Sequence, residues 1–413
     1  MRMFMRASAL LLSFSSFDFS NAAAPPEKCD PNDETSAIPD KYIVTLKPHV
    51  NLTAHLEHVQ ALHAASITQR TDGVIPPGVF HQYDMFDFTG YAAHLAASVI
   101  DQLHTHEDVL FIEPDREFSI ASVASAPTLQ TQANAPWHLN QISHRTLDHE
   151  KEGYVYGSDA GWATYAYVVD SGIDEKHAEF DDRKGRVIKG FYLLGDPKDA
   201  VDTSGHGTNV AGLIGGKTFG VAKKCSLIDV KVLIGTKGTT SDVVKGYQWA
   251  VKHMVGTTMQ ARAVINLSLR GSFSWSLNRA INSAAKKGVT TVVSAGNEGV
   301  KSCWTKKAIA VGATDQTRKR AKFSNIGPGV ALFAPGVNVE SAWIGYGNAK
   351  TLTVSGTSQA APLAAGVILL LKSSQKLADA KVTREALLKA ATPGVVGDTG
   401  GAPNLFLYNG SGK

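Results

Sequence analysis

From Trp137 to the end of the chain, short apolar runs rich in β-branched residues alternate with stretches of helical period. The runs are 165–169, 227–233, 264–269, 289–293 and 309–311; the helical stretches are 241–254, 274–287, stopped by Gly288, and 383–391, which ends before Pro393. A run that is apolar throughout, instead of at every second residue, belongs to a strand covered on both faces. Strands of that kind separated by helices make a parallel sheet flanked by helices on both faces, an α/β fold. Sites in such sheets lie at the carboxyl ends of the strands.

The chain before Trp137 is of a different kind. Arg2 and Arg6 precede an apolar stretch at 7–14 and the small residues Ala22, Ala23 and Ala24, the pattern of a signal peptide over 1–24. Neither that stretch nor the apolar run at 366–371 approaches the roughly 20 residues that cross a bilayer, so an exported, soluble protein with no membrane partner is expected. Between 40 and 118 the signals read strand (42–46), amphipathic helix (52–65), strand (86–88), helix (91–103) and strand (109–112), closed by Glu113-Pro114. This is a small α+β unit. Residues 119–131 are rich in Ala, Ser, Thr and Gln without hydrophobic period and read as a linker, leaving 132–413 for the α/β domain.

Composition removes whole classes of function. With 43% hydrophobic and 19% charged residues the chain is not disordered. A net charge of +4 from 41 basic and 37 acidic residues, with no basic block longer than Arg318-Lys319-Arg320, argues against nucleic acid as a partner. Cys29, Cys225 and Cys303 supply at most one bridge, and their spacing is not that of a zinc site. Whether Cys225 and Cys303 pair is left open by the sequence.

Three short motifs fall at the ends of expected strands or the starts of expected helices. Val168-Val169-Asp170-Ser171-Gly172 puts a carboxylate at a strand tip. Asp202-Thr203-Ser204-Gly205-His206-Gly207-Thr208 puts an imidazole between two glycines, which let another backbone or a substrate come close to the ring. Ser355-Gly356-Thr357-Ser358 opens an Ala-rich helix with Pro362 read in its first turn, so that Ser358 would act at the helix's positive end. A second Asp-Thr-Gly at Asp398 raises the rival idea of two carboxylates sharing a proton, as in aspartic proteases. The alternation of strands and helices speaks against it.

Carboxylate, imidazole and hydroxyl in this order are the order of the subtilisin triad. The segments resemble the subtilisin-like serine proteases, and Asn134-Ala135-Pro136-Trp137, Gly220-Val221-Ala222-Lys223-Lys224 and Trp343-Ile344-Gly345 resemble the proteinase K branch. The unit from 40 to 118 is similar to the family's ferredoxin-like inhibitory propeptides. The resemblance implies a secreted serine endopeptidase, made as a self-processed zymogen and acting on proteins or peptides as a monomer, with its own propeptide as inhibitor. Ser358 would attack the scissile carbonyl, His206 would relay the proton, Asp170 would orient His206, and Asn297 would donate to the oxyanion. Leu267, Ser268, Leu269, Arg270 and Gly271, with Gly238 opposite, would edge the substrate cleft. The bond cut on maturation is expected between 122 and 132, giving a product that starts near Gln130.

Several positions depart from the family pattern. Arg270 stands where relatives carry Gly, and would narrow the specificity pocket, favour acidic side chains, or point to solvent. Ala331 replaces a calcium-binding Asp, and Lys306 falls near a backbone ligand, so calcium at that place is expected to be weak or absent; no other metal and no catalytic cofactor is expected. Asn209, Gln359 and Leu363 replace the usual His, Met and His beside the triad. These changes leave a catalytically silent binding homologue as the alternative. Finally, eight of the 14 histidines fall between 49 and 106, from which loosening of the inhibitory complex in acid is expected.

Overall fold

The computed structural model describes residues 37–67, 77–119, 123–124, 135–147, 153–195, 200–271, 273–345, 347–375, 377 and 379–412. The expected signal peptide, Cys29 and most of the linker lie outside the described residues.

The N-terminal unit runs β1 (Ala37–Leu46), α1 (Leu52–Ile67), β2 (Gly78–Met85), β3 (Phe88–His94), α2 (Ala97–His104) and β4 (Val109–Ser119). Its antiparallel sheet has the order β4-β1-β3-β2. One face packs on its own helices through Val44, Leu46, Leu56, Val59, Val99 and Leu103. The other face is apolar as well, because it is covered by the second domain.

Sequence periodicity misses two features here. The stretch 91–94 is strand, not the start of a helix; held between β1 and β2, Tyr91 faces the helices and Ala92 the second domain, so both faces are buried. Strand β2 was not expected at all, because a register shift between Val79 and His81 breaks its alternation.

Then follow β5 (Val123–Ala124), α3 (Trp137–Ser143), β6 (Tyr165–Asp170), β7 (Val187–Tyr192), α4 (His206–Gly215), β8 (Ser226–Lys231), β9 (Lys237–Thr239), α5 (Thr240–Gly256), β10 (Ala263–Leu267) and β11 (Arg270–Gly271). The chain continues through α6 (Trp275–Lys286), β12 (Thr291–Ser294), β13 (Ile309–Thr314), β14 (Leu332–Pro335), β15 (Val339–Ala342), β16 (Thr351–Ser355), α7 (Thr357–Ser374), α8 (Ala380–Ala390), β17 (Thr392–Pro393) and β18 (Leu405–Phe406). The central sheet has the order β17-β18-β14-β13-β12-β10-β6-β8-β7, and every pairing from β18 to β7 is parallel.

The continuous apolar runs have a direct explanation in this architecture. Along β6, Ala166 and Val168 pack on the α4 and α7 side, with Val210, Leu213, Leu363 and Val367. Tyr167 and Val169 pack on the α5 and α6 side, with Val243, Tyr247 and Ile281. Ile43, Tyr83, Met85, Phe88 and Ala92 of the N-terminal unit join this second core, so the two domains share buried surface over α5 and α6.

Candidate active site

Strand β6 lies between β10 and β8 and delivers Asp170 to its carboxyl end, where the residue is 1% exposed. Its Oδ1 accepts the backbone N–H of Ser171 at 2.8 Å and lies 2.8 Å from His206 Nδ1. A carboxylate at that nitrogen selects the tautomer with the proton on Nδ1, which leaves the lone pair on Nε2. Nε2 is buried and has no hydrogen-bond partner among the described residues.

His206 is the first residue of α4, and both flanking glycines are needed there. Gly205 has φ 87, and a Cβ on it would stand 2.6 Å from the Trp343 ring. A Cβ on Gly207 would come within 2.2 Å of the Gly172 carbonyl oxygen. The reading of these glycines as clearance for a close approach is therefore correct, although what approaches is the loop after Asp170 and an indole.

Asp202, to which the sequence reading gave no role, holds this arrangement together. Oδ1 accepts the N–H groups of Ser204 (3.0 Å) and Gly205 (2.9 Å) and the Ser171 hydroxyl (2.9 Å). Oδ2 accepts from Thr208 N (3.0 Å) and Thr208 Oγ1 (2.7 Å), while Ser171 Oγ in turn accepts Gly207 N at 3.0 Å. One carboxylate thus caps α4 and ties it to the loop beside Asp170. We expect Asp202→Ala in the Ser358→Ala chain to lower stability by about 3 kcal/mol, because several buried donors lose their acceptor, and Asp202→Asn to lose less. A shared denaturation midpoint for the two variants would contradict this account.

Helix α7 carries Ser358 as its second residue, fully buried. Its small residues let it lie against α4, β6, β10, β12 and β13. Pro362 sits in the second turn, later than expected, where it has no N–H to give to the Ser358 carbonyl. Asn297 follows β12, and its Oδ1 accepts both Thr357 N (2.9 Å) and Thr357 Oγ1 (2.8 Å). With the oxygen committed to the residue before Ser358, the amide NH2 is the end left to donate. Asn209 and Gln359, the two unexpected amides, are hydrogen-bonded to each other (Gln359 Nε2 to Asn209 Oδ1, 3.2 Å) and join α4 to α7. Asp398, the carboxylate of the rival reading, is exposed and pairs with Arg320, while Asp170 pairs with His206.

The cleft-edging segments are strands. β11 pairs antiparallel with β4 (Arg270 opposite Ser119, Gly271 opposite Phe118), and β9 pairs with β4 from the other side (Gly238 opposite Phe118, Thr239 opposite Glu117). Leu267, at the end of β10, and Ser268 and Leu269 just beyond it are buried. The last strand of the N-terminal unit therefore fills the groove between 237–239 and 270–271. Val123 and Ala124 then pair with Ser355 and Val354 of β16, immediately before Ser358. Arg270 does not stand alone at the rim: its Nε meets Glu298 Oε1 at 2.9 Å.

Two further carboxylates anchor the N-terminal unit, and sequence reasoning missed them as well. Glu113 accepts from Ser274 Oγ (3.1 Å), Trp275 N (3.0 Å) and Ser276 N (2.8 Å) at the start of α6. Asp115 accepts from Ser241 N at 2.9 Å at the start of α5. Each places a carboxyl at a helix N-terminus of the other domain; burial raises both above their ordinary values, and the hydrogen bonds from the helix starts offset this in part. In the sequence, the only signal was two acidic residues, two apart, in a strand about to be buried.

A histidine of β2 reaches the second domain directly. His81 Nε2 lies 3.1 Å from Asp242 Oδ1 on α5. Burial raises the Asp242 carboxyl, but hydrogen bonds from His81 and Thr239 outweigh it and hold the carboxyl below its ordinary value. A depressed carboxyl contributes its stability above the ordinary range, about pH 3.9, and loses it only below, so Asp242 is charged throughout pH 5.5–8. We expect His81→Gln to speed release of the cleaved N-terminal unit by about threefold, the loss of one half-buried contact to the second domain. An unchanged release rate would refute it.

Cys225 is a buried free thiol, pushed up to about 11 by burial, and Cys303 is disulfide-bonded. The two therefore do not pair with each other.

Comparison with known proteins agrees with this architecture. The profile of the subtilase family matches residues 164–410, and that of the peptidase inhibitor I9 domain matches 41–121. The chain is 39% identical over 400 residues to alkaline protease 1 of Aspergillus clavatus, covering 94% of this chain and 96% of that one. It is 36% identical over 421 residues to the subtilisin-like proteinase Mp1 of Magnaporthiopsis poae, covering 97% and 99%. Among solved structures, a cold-adapted subtilisin-like serine proteinase superposes with a TM-score of 0.61 at 36% identity, covering 67% of this chain and 99% of the other. Nothing in these comparisons favours a silent homologue. The chain belongs to the subtilase family, and it is a subtilisin-like serine endopeptidase made as a zymogen behind its own I9-type inhibitory propeptide.

Proposed function

We propose that Asp170, His206 and Ser358 form the catalytic triad and that Asn297 donates to the oxyanion. The observation that carries this reading is the 2.8 Å contact between a buried Asp170 and Nδ1 of His206, which opens a helix packed against the one whose second residue is Ser358. In the reaction the Ser358 hydroxyl gives its proton to His206 Nε2 as its oxygen bonds to the carbonyl carbon of the peptide. Asp170 stabilises the imidazolium, and the Asn297 amide supports the negative oxygen. His206 then protonates the leaving amine, and the acyl-enzyme is hydrolysed by a water deprotonated at the same nitrogen.

Substrate is proposed to bind as β4 does, as an extended strand between 237–239 and 267–271. Ser119 pairs with Arg270 and Val123 with Ser355, which supports a maturation cut proposed to lie between Ser119 and Val123, at or before the start of the window read from sequence. The Arg270–Glu298 ion pair supports a rim whose charge is balanced, which disfavours selection of acidic side chains. N-terminal sequencing of the mature product tests the placement. A start near Gln130 would move the bond out of the groove.

The protein is further proposed to be secreted and to act as a monomer without nucleic acid or membrane partners. The leader pattern of 1–24 supports export, and no described helix is long and apolar enough to cross a membrane. At the position of the family's calcium-binding carboxylate, Ala331 is 2% exposed within the apolar core beside β14, which offers an ion no side-chain oxygen. We expect EGTA to shift the melting temperature of the mature enzyme by less than about 2 °C, the shift that loss of about 1 kcal/mol gives in a domain near this size. A larger drop would show calcium held elsewhere.

A further inference from the structure

The propeptide brings three metal-ligating side chains together on the side of its sheet covered by its own helices. His55 on α1 is 2% exposed, and its Nδ1 lies 3.0 Å from Asp108 Oδ2. His106, in the turn between α2 and β4, has its Nδ1 3.8 Å from the same oxygen. One ligand atom from each of His55, His106 and Asp108 falls within 4.8 Å of the others. Around a tetrahedral ion with ligands at about 2.0–2.1 Å, neighbouring ligand atoms stand about 3.3 Å apart, so an ion could be accommodated with small side-chain movements.

The surroundings resemble those of a built metal site. A ligating imidazole needs its second nitrogen held, and His55 Nε2 is 3.3 Å from the hydroxyl of buried Tyr91. Burial raises the Tyr91 hydroxyl well above its ordinary value, so it stays a neutral partner. His106 is flanked by two rings, His55 at 5.0 Å edge-on and His58 at 4.8 Å tilted. Its Nδ1 accepts the Asp108 backbone N–H at 3.2 Å, a hydrogen bond that coordination would replace. Side-chain exposures of 24% for His106 and 32% for Asp108 leave an ion a way in and a fourth position for water.

We propose that His55, His106 and Asp108 bind one zinc-type divalent transition-metal ion, which clamps α1 to the turn leading into β4. The site does not depend on the catalytic assignments above. Because the ion would bind only the folded propeptide, metal at 100 times its dissociation constant would disfavour propeptide unfolding by about 100-fold. It would thereby hold β4 in the groove and delay activation.

The test uses the full chain carrying Ser358→Ala, in which the propeptide stays attached, titrated with Co²⁺ and followed by its visible absorption, then competed with Zn²⁺. We expect one tetrahedral Co²⁺ per chain, displaced by Zn²⁺. His106→Gln and Asp108→Asn are each expected to weaken binding by at least about 10-fold, and Tyr91→Phe, which keeps all three ligands, to weaken it about 10-fold through loss of the Nε2 partner. Absence of Co²⁺ binding in the parent chain would overturn the proposal. So would binding of equal strength in His106→Gln and Asp108→Asn, which would assign the metal to other imidazoles. Should the ligand variants fail to fold, Tyr91→Phe decides, and an unchanged affinity there overturns it.

Discussion

Ser358→Ala is expected to reduce peptide hydrolysis by about 10⁶-fold, the loss seen when the nucleophile of subtilisin, a member of the same family, is removed. The same substitution is expected to leave the zymogen uncut while the wild-type product starts between residues 120 and 123. Both follow from one geometry. The proposed nucleophile lies at the start of α7, the N-terminal unit reaches the groove through β4, and Val123 and Ala124 pair with β16 on the far side. Mass and N-terminal sequence of the two secreted products, measured side by side, check both points. A Ser358→Ala chain processed at the same bond as wild type, when made without any other protease, would remove Ser358 from the mechanism. Because Ala is smaller than Ser and suits a helix interior, the variant is expected to fold, and binding of a peptide inhibitor would confirm an intact groove.

Asn297→Leu is expected to lower kcat by about 100- to 1000-fold with little change in KM, the signature of a donor that acts on the transition state and not on the bound substrate. The structure gives a reason to separate the two roles of this side chain. Its Oδ1 is held by Thr357 N and Oγ1, which orients the amide, and its NH2 is the end proposed to meet the oxyanion. Replacement by Leu keeps the volume but leaves two donors of Thr357 without an acceptor, at a stability cost of about 1–3 kcal/mol. Asn297→Asp separates these effects, since the carboxylate still accepts from Thr357 but cannot donate. It should retain stability and lose kcat as Leu does. If Asn297→Asp kept wild-type kcat, the side chain would be only a brace for α7.

The residues proposed for catalysis, and the elements around them, were legible in the sequence to different degrees. Asp170, His206 and Ser358 announce themselves because each sits where a strand ends or a helix begins, with glycine or small residues giving clearance. The parallel sheet was legible for a related reason: strands such as β6, buried on both faces, do not alternate apolar with polar residues, and its one charged residue, Asp170, stands at its end. Asp202, Glu113 and Asp115 were not legible, because an acidic residue that caps a helix from its own loop or from another domain looks like any solvated carboxylate until the chain is folded. Strand β2 was hidden by its register shift and 91–94 by two alanines that suit helix and strand alike. Arg270 was noticed as a departure, but its pairing with Glu298 depends on where the loop after β12 turns.

The order of chemical groups, the both-face burial of the core strands and the division into two units are properties of local composition and period, so the sequence by itself determined them. The threading of β4 between 237–239 and 270–271, the separation of Cys225 from Cys303, the contact of His81 with Asp242 and the meeting of His55, His106 and Asp108 join residues far apart in the chain. Only the tertiary structure decided those, because a contact between distant residues is set by packing and loop closure, to which no local pattern refers.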